Sequence, residues 1–161
     1  MRNVSFGFIS VLVSLVALAA DLPGAGKDAG KTVIYRDTWG VPHIYAATPE
    51  LGMYAMGWAQ AEDRPEDLLM NLLRGAGELA SVEGEGGIDS DKIVAMWDLY
   101  NGCKKRVVEL EKMDPRPPSF VLAESYVRGI NDYYKKNPKA APAWWGDRQV
   151  DVAMEMSFGR I

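Results

Sequence analysis

The chain has 161 residues, 48% of them hydrophobic and 25% charged, enough for one ordinary globular domain; disordered, collagen-like and low-complexity classes are excluded. Eighteen Lys+Arg against 22 Asp+Glu leave a formal charge of −4, which argues against a nucleic-acid partner because phosphates call for a basic face. One His and one Cys exclude an internal disulfide and a His/Cys zinc site, so any metal would be held mainly by oxygen.

The first 20 residues read as a signal peptide. Arg2 is followed by an apolar run from Val4 that ends in Ala17-Leu18-Ala19-Ala20, with charged Asp21 next. Small residues at −3 and −1 predict cleavage after Ala19 or Ala20. The alternative is an uncleaved anchor, but 16 residues from Val4 to Ala19, three of them Ser, fall short of the roughly 20 apolar residues a spanning helix needs. The expectation is a periplasmic or secreted protein without a permanent membrane anchor. Residues 21–30, rich in Gly and Pro, read as a flexible linker.

From Lys31 the chain becomes structured. Thr32-Val33-Ile34-Tyr35-Arg36 and Val41-Pro42-His43-Ile44-Tyr45-Ala46, joined by Asp37-Thr38-Trp39-Gly40, predict a β-hairpin. Pro42 should sit at an edge. Thr48 as a cap and Pro49 at the first position open a helix whose stripe runs through Leu51, Tyr54/Ala55, Trp58 and Ala61/Glu62 to Asp63. Pro65 restarts or kinks it, and Leu69, Leu72/Leu73, Ala76 and Leu79/Ala80 continue an apolar face until Gly84-Glu85-Gly86-Gly87, read as a flexible connection. Ile93, Trp97, Tyr100, Cys103, Val107 and Leu110, spaced 4, 3, 3, 4 and 3, predict a single helix over 90–113. Phe120, Ala123, Val127, Ile130 and Tyr134 predict a fourth that stops at Asn137-Pro138, and a fifth starts near Asp147 with Val150, Met154 and Ser157/Phe158 inward. Only Arg160 and Ile161 follow Gly159, so the reading expects the polypeptide to continue. Five Trp would be unfavourable to leave exposed together, which suggests a larger partner.

The residues that could carry chemistry have structural readings. His43, after Pro42 and with no Ser or Cys near it in sequence, reads as packed or hydrogen-bonded. Glu62-Asp63 and Glu66-Asp67 read as a solvated face or as partners of Arg64 or Arg74. The glycine run lacks the lysine of a phosphate-binding loop, Cys103 lies on an apolar stripe and reads as buried and inert, and no Ser occupies a Gly-x-Ser-x-Gly elbow. From residue chemistry alone this is an exported, α-rich domain.

Arg36-Asp37-Thr38-Trp39-Gly40-Val41-Pro42-His43-Ile44-Tyr45-Ala46 resembles the opening signature of the penicillin acylase family, exported N-terminal-nucleophile amidohydrolases that include penicillin, cephalosporin and acyl-homoserine-lactone acylases. Three later segments agree in order. Met56-Gly57-Trp58-Ala59-Gln60-Ala61-Glu62-Asp63-Arg64 is similar to the family's Gly-Tyr-x-x-Ala-x-Asp-Arg helix, Gly77 to Gly84 to its Gly-x-Leu-Ala-Glu-x-x-Gly end, and Tyr126 to Tyr133 to its Tyr-x-x-Gly-x-Asn segment. Pro65 departs from the usual apolar residue after Asp-Arg, and Ser81 from the usual Glu.

The resemblance implies the α-subunit part of an αββα N-terminal-nucleophile hydrolase, mainly α with a short N-terminal hairpin, over residues 31–161. It implies a precursor cut into a small α and a large β subunit, with the nucleophile a Ser at the new β terminus whose own amine serves as base. No catalytic residue is then expected in this chain. Its role would be to wrap the β subunit and, through its last helix, to line an acyl pocket, with Met156, Ser157, Phe158, Arg160 and Ile161 as candidates. No metal ligand is expected here, although calcium occurs in some complete members. The substrate would be a small N-acyl compound: a penicillin-type side chain, with phenylacetyl-type, dicarboxylic and long aliphatic acyl groups all open, or an acyl-homoserine lactone. Two rivals come from other classes: an exported helical binding module without activity, and a carboxylate metal enzyme in which Glu62, Asp63 and His43 converge.

Overall fold

A computed structural model describes residues 31–160; the signal and linker readings lie outside the described residues. Strands β1 (Val33–Arg36) and β2 (Pro42–Tyr45) pair antiparallel, Val33 opposite Tyr45 and Arg36 opposite Pro42. Pro42 takes the first position of its strand, where no ladder donor is needed. The turn is closed by the Asp37 carboxylate, which accepts from the backbone N–H of Trp39 and of Val41 at 2.9 Å, and by Gly40 at φ +83°. Two strands alone are marginal in water; this pair leans on α1.

Helix α1 (Pro49–Asp63) begins as predicted, with the Thr48 hydroxyl accepting from Leu51 N–H. Its buried residues match the predicted stripe only at Ala55 and Ala61. Ala55, Gly57, Ala59 and Ala61 are buried, whereas Leu51, Tyr54 and Trp58 are half-buried. The cause is the close approach of α6 (Pro118–Lys136): a Cβ on Gly57 would stand 2.1 Å from the Tyr126 carbonyl oxygen, and one on Gly129 would stand 2.0 Å from that of Tyr54. Only small residues fit between the two backbones.

Arg64, at φ −139° and ψ 61°, separates α1 from α2 (Pro65–Ala76), so Pro65 restarts the helix. Leu69, Leu72, Leu73 and Ala76 are buried. The apolar face does not continue in one helix to Ala80. Gly77 adopts φ +72° and the Glu78 N–H bonds to the Leu73 carbonyl, a left-handed cap. A single turn follows, α3 (Ala80–Glu83).

The glycine run is ordered. Gly84 turns the chain at φ +62°, α4 (Glu85–Met96) starts at once, and Gly87 lies so close to Ala80 that a Cβ would meet its nitrogen at 2.4 Å. The Asp91 carboxylate binds the N–H groups of Leu79 and Ala80 at 2.8 Å each. The predicted helix over 90–113 is broken: α4 ends at Met96 and α5 (Leu99–Glu111) begins after Asp98, which adopts a left-handed φ of 49°. The bend lets α5 bury Cys103 and Leu110 and pack on α7, leaving Trp97 and Met96 68% and 70% exposed.

Helix α6 buries Phe120, Val127, Ile130 and Tyr134, as its stripe predicts, together with Tyr133, whereas Ala123 is only half-buried. The last helix starts later than expected: α7 (Val152–Phe158) is capped by Asp151, because Gly146 at φ +62° holds a turn in which the Trp145 indole is buried and donates to the Arg148 carbonyl. No helix among the described residues is long and apolar enough to cross a membrane.

Candidate functional site

The residues singled out by resemblance lie on or just after α7, so what holds that helix decides the shape of the site. The Asn131 side chain on α6 clamps the segment that leads into α7, its Nδ2 donating to the Val150 carbonyl at 2.8 Å and its Oδ1 accepting from Val150 N–H at 2.9 Å. One amide thus satisfies both polar groups of a buried residue. One residue on, Asp151 accepts from Met154 N–H through Oδ1 and from the Tyr100 hydroxyl, at 2.7 Å, through Oδ2. Arg148 pairs with Glu78 at 3.0 Å, tying the same segment to the end of α2. Against α2 the helix sits on bare backbone: a Cβ on Gly75 would stand 2.5 Å from the Met154 oxygen and 2.8 Å from the Phe158 nitrogen.

This mounting sorts the candidates. Ser157 is fully buried, and its hydroxyl has no hydrogen-bond partner among the described residues. Met156 is half-buried in a cleft between helices. Phe158 is 38% exposed beside Gly75, and Arg160 is exposed after the helix ends. Ile161 lies outside the described residues. Ala153 and Met154 point into the core with Ser157.

The polar residues near the hairpin form two separate groups. Arg36 takes both Glu62 and Asp63, bonding Asp63 Oδ1 at 2.7 Å, and also donates to the Gly40 carbonyl. For Glu62 and Asp63 this corrects the expected partners; Arg64 pairs with Asp67 at 3.7 Å, as one of the readings had it, and Arg74 donates to Asn71. Glu66 accepts from the Trp144 indole. His43 is half exposed, with Nε2 3.4 Å from Asp37 Oδ2. The Val41 and Trp39 N–H groups, the former foremost, hold the Asp37 carboxyl below its ordinary range, with His43 adding to the effect. Glu62, Asp63 and His43 therefore do not converge. Cys103 is fully buried, and burial pushes its thiol up, which keeps it unreactive.

Sequence reasoning passed over three residues: Arg36 as the donor that binds both acids, Tyr100 as the outer support of the α7 cap, and Asn131 as its clamp. Only Asn131 carried a signal, a polar amide beside Ile130 on an otherwise apolar stripe.

A helical layer carrying an N-terminal hairpin and a terminal helix mounted on small residues defines the class, and comparison defines the lineage. The family profile described as penicillin amidase matches residues 31–158, and the chain belongs to that family. It is 28% identical over 100 residues to the acyl-homoserine lactone acylase QuiP of Pseudomonas aeruginosa, covering 62% of this chain and 11% of that protein. It is 31% identical over 101 residues to the Pseudomonas fluorescens protein of the same name, covering 62% and 12%. The structure of a thermostable penicillin G acylase from Alcaligenes faecalis aligns with a TM-score of 0.59 at 22% identity, over 80% of this chain and 70% of that one; it shares the fold. The matched stretch thus spans roughly an eighth of the length of the lactone acylases.

Proposed function

We propose that this chain is the small-subunit portion of an exported amidohydrolase that cleaves the amide bond of an N-acyl substrate. The observation that carries the reading is the family match over residues 31–158, in a chain whose aligned stretches cover only 11–13% of the related lactone acylases. In this reading the nucleophile is a Ser at the terminus of the larger portion. Its own amine, with a pKa of about 8, takes the hydroxyl proton as the acyl-enzyme forms. Backbone and amide donors of the larger portion hold the oxyanion, and water then releases the acid. The small portion contributes shape. Met156, Phe158, Arg160 and Ile161 border the acyl group, while the Asn131, Tyr100 and Arg148 bonds keep α7 in place. Large exposed apolar residues, Trp39 at 86% foremost, support burial against a second polypeptide.

The test is acid release from phenylacetyl amides, glutaryl amides and acyl-homoserine lactones of graded length by the complete enzyme, wild type and Phe158→Ala. A change in preference among acyl chains, of roughly 1–3 kcal/mol per methylene in an apolar pocket, is expected. Hydrolysis of none of these amides would overturn the reading; equal loss on all would remove Phe158 from the pocket.

A further inference from the structure

Four helices meet around a cleft of about 350 Å³ whose walls include Met53 of α1, Leu110 of α5, Phe120 and Leu122 of α6, and Met156 of α7. Its lining holds one charged residue, Glu155 on α7. Glu155 is half-buried and has neither an ion pair nor a hydrogen bond from its carboxylate among the described residues. Every other acid near the ends of α7 is engaged: Asp151 by Tyr100 and Met154, Glu78 by Arg148. Burial raises the Glu155 pKa, and the Tyr126 hydroxyl and Cys103 thiol are the titratable groups that feel its charge. An unpaired carboxylate against apolar walls is unfavourable, and a cation on an apolar stem relieves both mismatches at once.

We propose that this cleft receives a lysine or arginine side chain from the larger part of the enzyme, its stem lying on Met53, Leu110, Phe120 and Leu122 and its charged head on Glu155. The inference rests on the small-portion reading above. Charge selects the occupant: a second copy of this chain would bring a net charge of −4 and another Glu155 to the same place, whereas a basic segment complements it. Size agrees, because about 350 Å³ equals the space of roughly ten waters and accepts one long side chain with part of its neighbour. The surrounding polypeptide is available, since the related acylases extend far beyond the stretch matched here.

The experiment uses the complete enzyme as wild type, Glu155→Gln, Glu155→Lys and, as a surface control with the same charge change, Glu111→Lys. Two readouts are taken: the dissociation constant between the two parts, and amine- and guanidine-directed labelling of the larger part read by mass spectrometry. The expected result is that Glu155→Lys weakens association about 30-fold or more and Glu155→Gln less, with Glu111→Lys within twofold of wild type. One basic residue of the larger part, shielded in the wild type, should become labelled in Glu155→Gln. Association within twofold for Glu155→Lys, or an unchanged labelling pattern in Glu155→Gln, overturns the proposal; the second readout stands if the Lys variant does not fold. Failure of the wild type to assemble with any larger part would overturn the small-portion reading itself, a different result from an indifferent Glu155.

Discussion

The α1–α6 pair and the α4–α5 corner are opposite solutions to burying apolar surface. In the first, two glycines face each other's backbone at distances no Cβ could occupy, and Trp58 packs edge-on against Tyr133 at 5.4 Å. In the second, a left-handed Asp98 bends the chain, and Ile93, Met96 and Trp97 are left facing solvent. A region that closes on itself tolerates no added atom, whereas a region left open tolerates changes until a partner is present. The first holds the fold; on the small-portion reading, the second is where the larger portion would pack.

The sharpest way to break this comparison is Gly129→Ala. The new methyl would overlap the Tyr54 carbonyl, and neither helix can retreat without uncovering Gly57, so a loss of about 3 kcal/mol or more is expected in urea unfolding. A change under about 0.5 kcal/mol would show that the two helices part easily. Next comes Asn131→Ala, which orphans the Val150 N–H and carbonyl together; about 2 kcal/mol should be lost. Because α7 would loosen with it, the complete enzyme should also discriminate less among acyl chains, which a purely global destabilisation would not produce. Met96→Ser with Trp97→Ser should change the unfolding free energy of this chain by only about 0.5 kcal/mol or less while weakening assembly of the complete enzyme. Equal loss in both settings would make the corner part of the core.

The smallest effect concerns pH. The folded-state pKa of Glu155 is raised above its ordinary 4.5, so the native chain holds that proton more tightly than the unfolded one does. Its contribution is then fully present below about pH 4.5 and is lost as pH rises through the folded value. Glu155→Gln should flatten that part of the stability curve in the chain alone. Where a basic side chain occupies the cleft the sign should reverse, with the wild type gaining as pH rises. Asp37 runs the other way: its lowered pKa contributes stability above the ordinary carboxylate range that is lost in acid.

Local chemistry made much of this chain legible. The hairpin needed only β-branched runs on either side of an Asp-x-x-Gly turn, α1 only a Thr-Pro start, and α6 only an apolar stripe ended by Asn137-Pro138. The family was legible for a related reason, since its motifs consist of the turn, cap and close-contact residues that the backbone demands: Gly57 and Gly129 lie within them. The sequence by itself therefore determined the mainly helical class, the order of elements and the lineage. Tertiary structure alone decided three things. It broke the stripe over 90–113, because the second half of that helix is drawn to α7 while the periodicity is the same in a bent helix as in a straight one. It turned small residues inward on α1, because the partner's backbone comes too close for large ones. And it gave Glu62 and Asp63 to Arg36, 26 and 27 positions away: charge pairing acts through space, and the neighbours in sequence point elsewhere.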